Sequence, residues 1–182
     1  MTRCIVCDGI DVRLFLDLGR TALANKFLTR EELSRPEPTY PLRVGWCASC
    51  SHVQLMEHVP PSAMFADYLY MSSASETLQA HLWDLSDVTV QRRRLGSGDL
   101  VVDVGCNDGT LLQGFRRHGA RTLGVDPAIN LAERAASSGI ERFVGFFGAQ
   151  TAGQIAARWG QASVITATNT FPHIPDLGDF LE

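Results

Sequence analysis

Residues 100–109 read Leu-Val-Val-Asp-Val-Gly-Cys-Asn-Asp-Gly, and this stretch decides the fold. The run from Leu100 to Val104 predicts a buried strand, and the glycine-containing residues after it predict a tight turn that opens a helix. Such a turn presents backbone N–H groups and a close-packed floor to a nucleotide-like ligand. The sequence therefore predicts a ligand-binding turn at the end of this strand.

Strand and helix patterns alternate from this stretch onward. The predicted strands are 100–104, 122–125, 142–146 and 163–167, and the predicted helices are 110–118, 128–138 and 152–159. Strict alternation of units this short predicts an α/β fold with a parallel, doubly wound sheet and right-handed crossovers. Residues 176–182 predict the start of another helix.

A second carboxylate stands at the end of the next predicted strand. Asp126 follows Asp103 by 126 − 103 = 23 residues, where a carboxylate accepts hydrogen bonds from ribose hydroxyls. A dinucleotide site needs a glycine in the middle of the turn, where this chain has Asn107, so a cofactor without phosphates fits better. Asp103 suits a positively charged amino group. The pattern predicts S-adenosylmethionine, with Asp103 near its methionine end and Asp126 on its ribose.

Four of the five cysteines form two knuckles in the first third of the chain, Cys4-x-x-Cys7 and Cys47-x-x-Cys50. A two-residue spacer lets both thiolates of a pair face one ion, and two pairs complete the tetrahedral sulfur shell that Zn²⁺ prefers. Four sulfur ligands leave no position for water, which predicts a structural zinc site. A redox pair is the alternative, but neither knuckle has the strand before it and the helix after it that such a motif requires.

Charge and hydropathy exclude several function classes. The chain has 16 basic and 20 acidic residues and is 45% hydrophobic, so it should fold and has no basic surplus for nucleic acid. The segment between the knuckles is also neutral, which argues against a nucleic-acid-binding zinc ribbon. With no signal peptide and no apolar run long enough to span a membrane, we expect a cytoplasmic protein with no membrane partner.

Residues 73–94 predict a connecting helix. Ser73 and Glu76 have capping-box spacing, leucines recur at helical intervals, and a Gly-Ser-Gly stop follows at 96–98. Residues 92–94 are arginines, which complement the dipole at a helix C-terminus; a phosphate-binding patch is the alternative.

The motif Asp103-x-Gly105-x-x-x-Gly109, followed by Asp126 and preceded by a four-cysteine module, resembles the class I S-adenosylmethionine-dependent methyltransferases. More narrowly, the chain is similar to the sugar C-methyltransferases that carry an N-terminal zinc-binding domain. Residues 67–73 and 169–176 resemble two signatures of that family. The resemblance covers essentially the whole chain, although members of the family are longer.

The resemblance implies a reaction in deoxysugar biosynthesis. The substrate would be a nucleotide-activated 4-keto-deoxy sugar, methylated through an enolate on the carbon next to the carbonyl. The implied catalytic residues are Tyr70, with Tyr68 as its fallback, and His173. The cofactor-binding residues would be Asp103, Gly105, Asn107, Gly109, Asp126, Phe147 and Asn169, and the metal ligands Cys4, Cys7, Cys47 and Cys50. Phe146 could replace Phe147 at the adenine, and either ring could instead belong to the core.

The same resemblance gives a domain plan. We expect a zinc-binding domain at 1–71, a connecting helix at 72–95 and a partial Rossmann-like cofactor domain at 96–182. Sheets of this class have seven strands where this sequence shows four, so we expect the N-terminal portion of a longer enzyme whose general base lies beyond residue 182. We also expect a monomer. The alternatives are O- or N-methylation on the same fold and a non-catalytic remnant that binds zinc and cofactor.

Overall fold

The computed structural model describes residues 2–182, which form two compact units. The first unit runs to Met64 and adds Pro175–Gly178; the second comprises Phe65–Ile174 and Asp179–Glu182. None of the described helices is both long enough and apolar enough to cross a membrane.

The first unit is built on a small antiparallel sheet in the order β1-β2-β3. Its strands are β1 (Val12–Thr21), β2 (Tyr40–Cys47) and β3 (Val53–Leu55). The pairing of β1 with β2 shifts register twice, between Leu14 and Leu16 and between Asp17 and Arg20. These two shifts make the pairing of β1 with β2 irregular.

A short helix, α1 (Pro61–Phe65), follows, and then α2 (Glu76–Arg93). The predicted capping box at Ser73 is wrong: the cap is Ser75, whose hydroxyl accepts the backbone N–H of Leu78. Ser73 lies instead in a 3-10 turn, Ser72–Ala74, and its own N–H is bound by a residue far along the chain, so tertiary contacts override the local pattern.

The second unit contains the predicted alternation of strands and helices. Its further elements are β4 (Leu100–Val104), α3 (Thr110–Arg117), β5 (Arg121–Asp126), α4 (Ile129–Ser137), β6 (Glu141–Val144), α5 (Ala149–Trp159), β7 (Val164–Thr166) and α6 (Leu177–Leu181). All four strands are parallel, in the order β6-β5-β4-β7. This confirms the predicted α/β, doubly wound fold, with β4 at the point where the strand order reverses.

The core of this unit has two layers, one on each face of the sheet. Val101 belongs to the layer that contains Leu112 and Phe115 of α3 and Leu82 of α2. Its neighbours in sequence, Leu100 and Val102, belong to the opposite layer. Since successive side chains of a strand point to opposite faces, burial of every β4 residue explains why its sequence is an almost unbroken apolar run.

Candidate functional site

The turn after β4 forms the centre of the candidate cofactor site. Three of its residues have positive φ angles: Gly105 at 74°, Asn107 at 54° and Gly109 at 81°. A side chain on Gly105 would also overlap that of Thr170, which lies after β7. Glycine is therefore required at position 105 both for its backbone conformation and for space.

Asp126, at the end of β5, is tied to this turn. Its Oδ2 accepts the backbone N–H of Asn107 at 2.8 Å, and its Oδ1 accepts that of Ala128 at 2.8 Å. The residue is 7% exposed, and burial raises the pKa of its carboxyl, although the two N–H donors and the Arg142 guanidinium oppose the rise. A carboxylate has about four acceptor positions, so the remaining lone pairs could still receive ligand hydroxyls.

Asp103 is the second buried carboxylate at this edge of the sheet. Its Oδ1 accepts the Thr166 hydroxyl at 2.7 Å from neighbouring β7. Burial raises the pKa of Asp103 to about 7, and the charge of Asp126 adds to the rise while the Thr166 hydrogen bond opposes it. A partly protonated carboxyl in this position would ionise when a cation arrives.

Asn107 makes contacts that sequence reasoning missed. Its side-chain Nδ2 donates to the backbone carbonyl of Tyr70 at 2.9 Å, and its Oδ1 accepts the backbone N–H of Ser72 at 2.9 Å. Beside it, Asp108 accepts the backbone N–H of Ser73 at 3.0 Å. The two side chains thus hold residues 70–73 against the turn, and a cofactor contact by Asn107 stays a prediction.

The two predicted catalytic residues lie at the ends of one row of aromatic rings. The ring centroids of Tyr70 and Tyr68 are 6.5 Å apart, those of Tyr68 and Phe65 5.8 Å, and those of Phe65 and His173 5.6 Å. Tyr70 is 45% exposed. The structure therefore connects Tyr70 with His173 through the rings of Tyr68 and Phe65, and no motif indicated Phe65.

The remaining predicted cofactor residues have different surroundings. Phe147 packs against the core layer of β4 and β5, and its ring meets Phe180 at 5.4 Å, whereas Phe146 is exposed. Asn169 has a φ of 56° and directly precedes the Thr170 that contacts the turn. A role in cofactor binding for either Phe147 or Asn169 stays a prediction.

In the first unit the four knuckle cysteines converge. Their Sγ atoms all lie within 4.8 Å of one another, with Cys4 and Cys50 at 3.6 Å and Cys7 and Cys47 at 3.7 Å. A tetrahedral ion with sulfur ligands at about 2.3 Å needs sulfurs about 3.8 Å apart, whereas a disulfide needs about 2.05 Å. The donor set and its spacing fit Zn²⁺.

Two local features act on this cluster, one on the Cys47 thiol and one on the backbone beside Cys4. The backbone N–H groups of Cys50 and Ser49 stabilise the Cys47 thiolate, and the pKa of Cys47 falls to about 6 although burial opposes this. Gln54 of β3, which is 5% exposed, accepts the N–H of Ile5 at 3.0 Å and donates to the carbonyl of Arg3 at 2.9 Å. Gln54 thereby fixes the backbone on both sides of Cys4, a role that its position in the sequence did not indicate.

Comparison with known families agrees with both units. Residues 4–65 match a family model described as "Putative zinc binding domain", and residues 75–182 match one described as "Methyltransferase domain". C-methyltransferase NovU of Streptomyces niveus is 36% identical over 178 residues, which are 98% of this chain and 42% of that protein. The chain thus spans less than half the length of this relative.

Solved structures give weaker matches. An RNA methyltransferase from Salinibacter ruber, in complex with S-adenosyl-L-homocysteine, is 22% identical with a TM-score of 0.36, over 46% of this chain and 56% of that one. YjhP from E. coli is 20% identical with a TM-score of 0.31, over 44% of this chain and 34% of that one.

Proposed function

The chain belongs to the methyltransferase domain family, and from that premise we propose that it binds S-adenosylmethionine and serves C-methylation of a nucleotide-activated 4-keto-deoxy sugar. The observation that carries the proposal is the pair of buried carboxylates, Asp103 and Asp126, at the ends of adjacent strands beside a turn with positive φ angles. The similarity to C-methyltransferase NovU supports transfer to carbon.

Charge supports this cofactor over a phosphate-bearing one. The buried Cys106 thiol lies in the turn, and four charged groups among the described residues act on it. Three are the carboxyls of Asp103, Asp108 and Asp126, and the fourth is the Arg142 cation. The local excess is therefore negative, which attracts an ammonium or sulfonium group and repels a pyrophosphate. Asp126 would accept the ribose hydroxyls, and Asp103 would lie near the methionine end.

The chemistry assigned to this chain's own residues is positioning of the substrate and stabilisation of the developing oxyanion. Bound S-adenosylmethionine supplies an electrophilic methyl group. The substrate must lose the proton next to its carbonyl and present the resulting enolate carbon in line with that methyl group. Tyr70 and His173 would hold the sugar, with the Tyr70 hydroxyl as a donor to the developing oxyanion. The zinc site, with a closed sulfur shell, would stabilise the first unit and take no part in the reaction.

Calorimetry with S-adenosyl-L-homocysteine tests the cofactor. We expect binding to the chain and none of NAD. The Asp126→Ala variant should bind about ten- to hundredfold more weakly, because it loses charge-assisted hydrogen bonds. Asp84→Ala, at an exposed position of α2, is the matched control and should bind normally. Preferential binding of NAD would overturn the cofactor assignment.

Methyl transfer is tested with the full gene product, isotope-labelled cofactor and a nucleotide-linked 4-keto sugar. We expect a new carbon-bound methyl group and exchange of the neighbouring sugar proton with solvent. Tyr70→Phe and His173→Asn should slow transfer while leaving the zinc content unchanged. A label on oxygen or nitrogen would instead establish one of the alternative reactions.

A further inference from the structure

Arg142 of β6 is a buried cation beside the carboxylate of Asp126. Its side chain is 4% exposed, and its Nη2 lies 3.4 Å from Asp126 Oδ1. The same Nη2 donates to the backbone carbonyls of Asp126 at 3.2 Å and Ala128 at 3.3 Å. One nitrogen thus contacts the carboxylate and spans the backbone that leads from β5 into α4.

The rest of the guanidinium is poorly satisfied. Nε and Nη1 of Arg142 are buried and have no hydrogen-bond partner among the described residues. Buried donors without partners are unfavourable, and a fold selected for stability alone would favour an apolar side chain in such a position. Because this burial is unfavourable, it indicates that the charge of Arg142 serves the neighbouring carboxyl of Asp126.

The charges around the Asp126 carboxyl differ in sign. Arg142 comes from β6, while the other titratable groups that interact electrostatically with the Asp126 carboxyl are Asp103 of β4 and Cys106 of the turn. Asp103, when ionised, opposes a negative charge on Asp126, whereas burial raises the pKa of the Cys106 thiol well above its ordinary value, so this thiol is neutral and favours neither form. Of the neighbours that these interactions identify, Arg142 is the one whose charge favours the ionised carboxylate.

We propose that Arg142 is a positioning residue for cofactor recognition, whose guanidinium keeps Asp126 ionised and oriented to accept the ribose hydroxyls. The inference rests on the proposed function. It adds that the affinity for the ribose depends on a pair of residues on adjacent strands. Arg142 acts through Asp126 and need not touch the cofactor itself.

The test measures two quantities in Arg142→Gln, Arg142→Met and Arg142→Lys across pH 5.5 to 8.5. The first is the affinity for S-adenosyl-L-homocysteine by calorimetry. The second is the titration of the Asp126 side-chain carboxyl by ¹³C NMR without ligand, in an Asp103→Asn background so that the two carboxyls are not confused. Thermal unfolding shows which variants fold.

Loss of the cation should move the Asp126 titration midpoint upward by about one pH unit or more in Arg142→Gln and Arg142→Met. Since only the carboxylate accepts both hydroxyls, the affinity of these variants should fall most at the low end of this pH range, by about tenfold for a midpoint that moves by one unit, and recover as the pH rises. Arg142→Lys keeps the charge and should restore most of the affinity. Arg121→Met, a cation removed from the opposite end of β5, should change neither quantity.

A midpoint that does not move in Arg142→Gln or Arg142→Met overturns the proposal, whether or not the ligand binds. A loss of affinity that is equal at every pH also overturns it, because that result marks a purely structural role. If the unchanged chain does not bind S-adenosyl-L-homocysteine but the midpoint still moves with Arg142, the proposed function fails while the effect of Arg142 on Asp126 stands.

Discussion

The side-chain amide of Asn107 donates to the backbone carbonyl of Tyr70 across 2.9 Å, and this bond joins the glycine turn to the segment with the proposed sugar-binding tyrosine. A second asparagine, Asn130, binds the backbone of Tyr68 in the same way. It donates to the carbonyl of Tyr68 at 2.8 Å and accepts the N–H of Tyr68 at 3.1 Å. The backbones of both tyrosines are therefore held by asparagine side chains, one at the turn and one on α4.

The first prediction concerns this contact. Asn107→Asp keeps the acceptor for Ser72 and tolerates the positive φ, but it loses the donor to Tyr70 and places a carboxylate oxygen against a carbonyl oxygen. We expect it to lower the free energy of unfolding by about 1 to 3 kcal/mol and to speed amide exchange at residues 70–73. Asn130→Asp removes the same kind of donor at an exposed contact and is the matched control. Equal effects from both variants would contradict a special role for Asn107.

These asparagine contacts show where sequence reasoning ends. The strand 100–104 could be predicted because an apolar run followed by a glycine turn is a local pattern, and the structure has β4 at Leu100–Val104. The bonds from Asn107 to Tyr70 and Ser72 join residues more than 30 positions apart. No local spacing encodes such a bond, so Asn107 was assigned by its place in the turn alone.

In the first unit the site could be predicted from the sequence, whereas the strands could not be located. Its cysteine spacing predicts a metal site because ligand geometry constrains spacing, but the sequence does not locate the bounds of its strands. In β1 consecutive apolar residues, Leu14, Phe15 and Leu16, are all substantially exposed, so the alternation that would indicate a half-buried strand is missing. Burial there does not follow the period of the strand, so the pairing of β1 could not be predicted from its pattern of apolar residues.

A second prediction concerns Asp103 and pH. Because the pKa of this buried carboxyl is raised from 3.8 to about 7, the folded chain keeps a proton that the unfolded chain has lost. The free energy of unfolding should therefore fall between about pH 4 and pH 7. Asp103→Asn removes the contribution of this carboxyl and should be more stable than the unchanged chain by roughly 2 to 4 kcal/mol above pH 7. The difference should vanish near pH 4, as followed by urea unfolding.

Asp99, just before β4, is the control, because its pKa is shifted in the direction opposite to that of Asp103. The Ser163 hydroxyl and the Gly96 N–H lower the pKa of Asp99, so this carboxylate contributes stability at neutral pH that is lost as the pH falls. Asp99→Asn should be destabilising at pH 7. If Asp103→Asn also destabilised the unliganded chain at pH 8, the raised pKa of Asp103 would be wrong.

A third prediction separates backbone conformation from space at the turn. Gly105 and Gly119 have similar φ angles, 74° and 85°, but a side chain on Gly105 would overlap Thr170 whereas one on Gly119 meets nothing within 4 Å. Gly119→Ala should destabilise by about 1 kcal/mol from the backbone alone. Gly105→Ala should be destabilising by at least about 1 to 3 kcal/mol more and should abolish binding of S-adenosyl-L-homocysteine. Adding Thr170→Gly to Gly105→Ala should recover most of the difference in stability, and no recovery would show that the overlap is not its cause.

The last prediction concerns zinc and Gln54. Four converging thiols predict one zinc per chain by metal analysis, and Cys47→Ser should lose stoichiometric zinc and unfold the first unit. Gln54 binds the backbone on both sides of Cys4 and is not one of the four converging cysteines, so Gln54→Leu leaves the half-buried N–H of Ile5 without its acceptor and frees the first knuckle to move. Groups that orient ligands in this way change metal affinity by about ten- to a hundredfold. The Gln54→Leu variant should bind zinc when purified and release it to a chelator about tenfold faster or more, while Gln91→Leu, at an exposed position of α2, should release it at the unchanged rate. Zinc release that is the same in all three proteins would show that the cysteines hold the ion without help from β3.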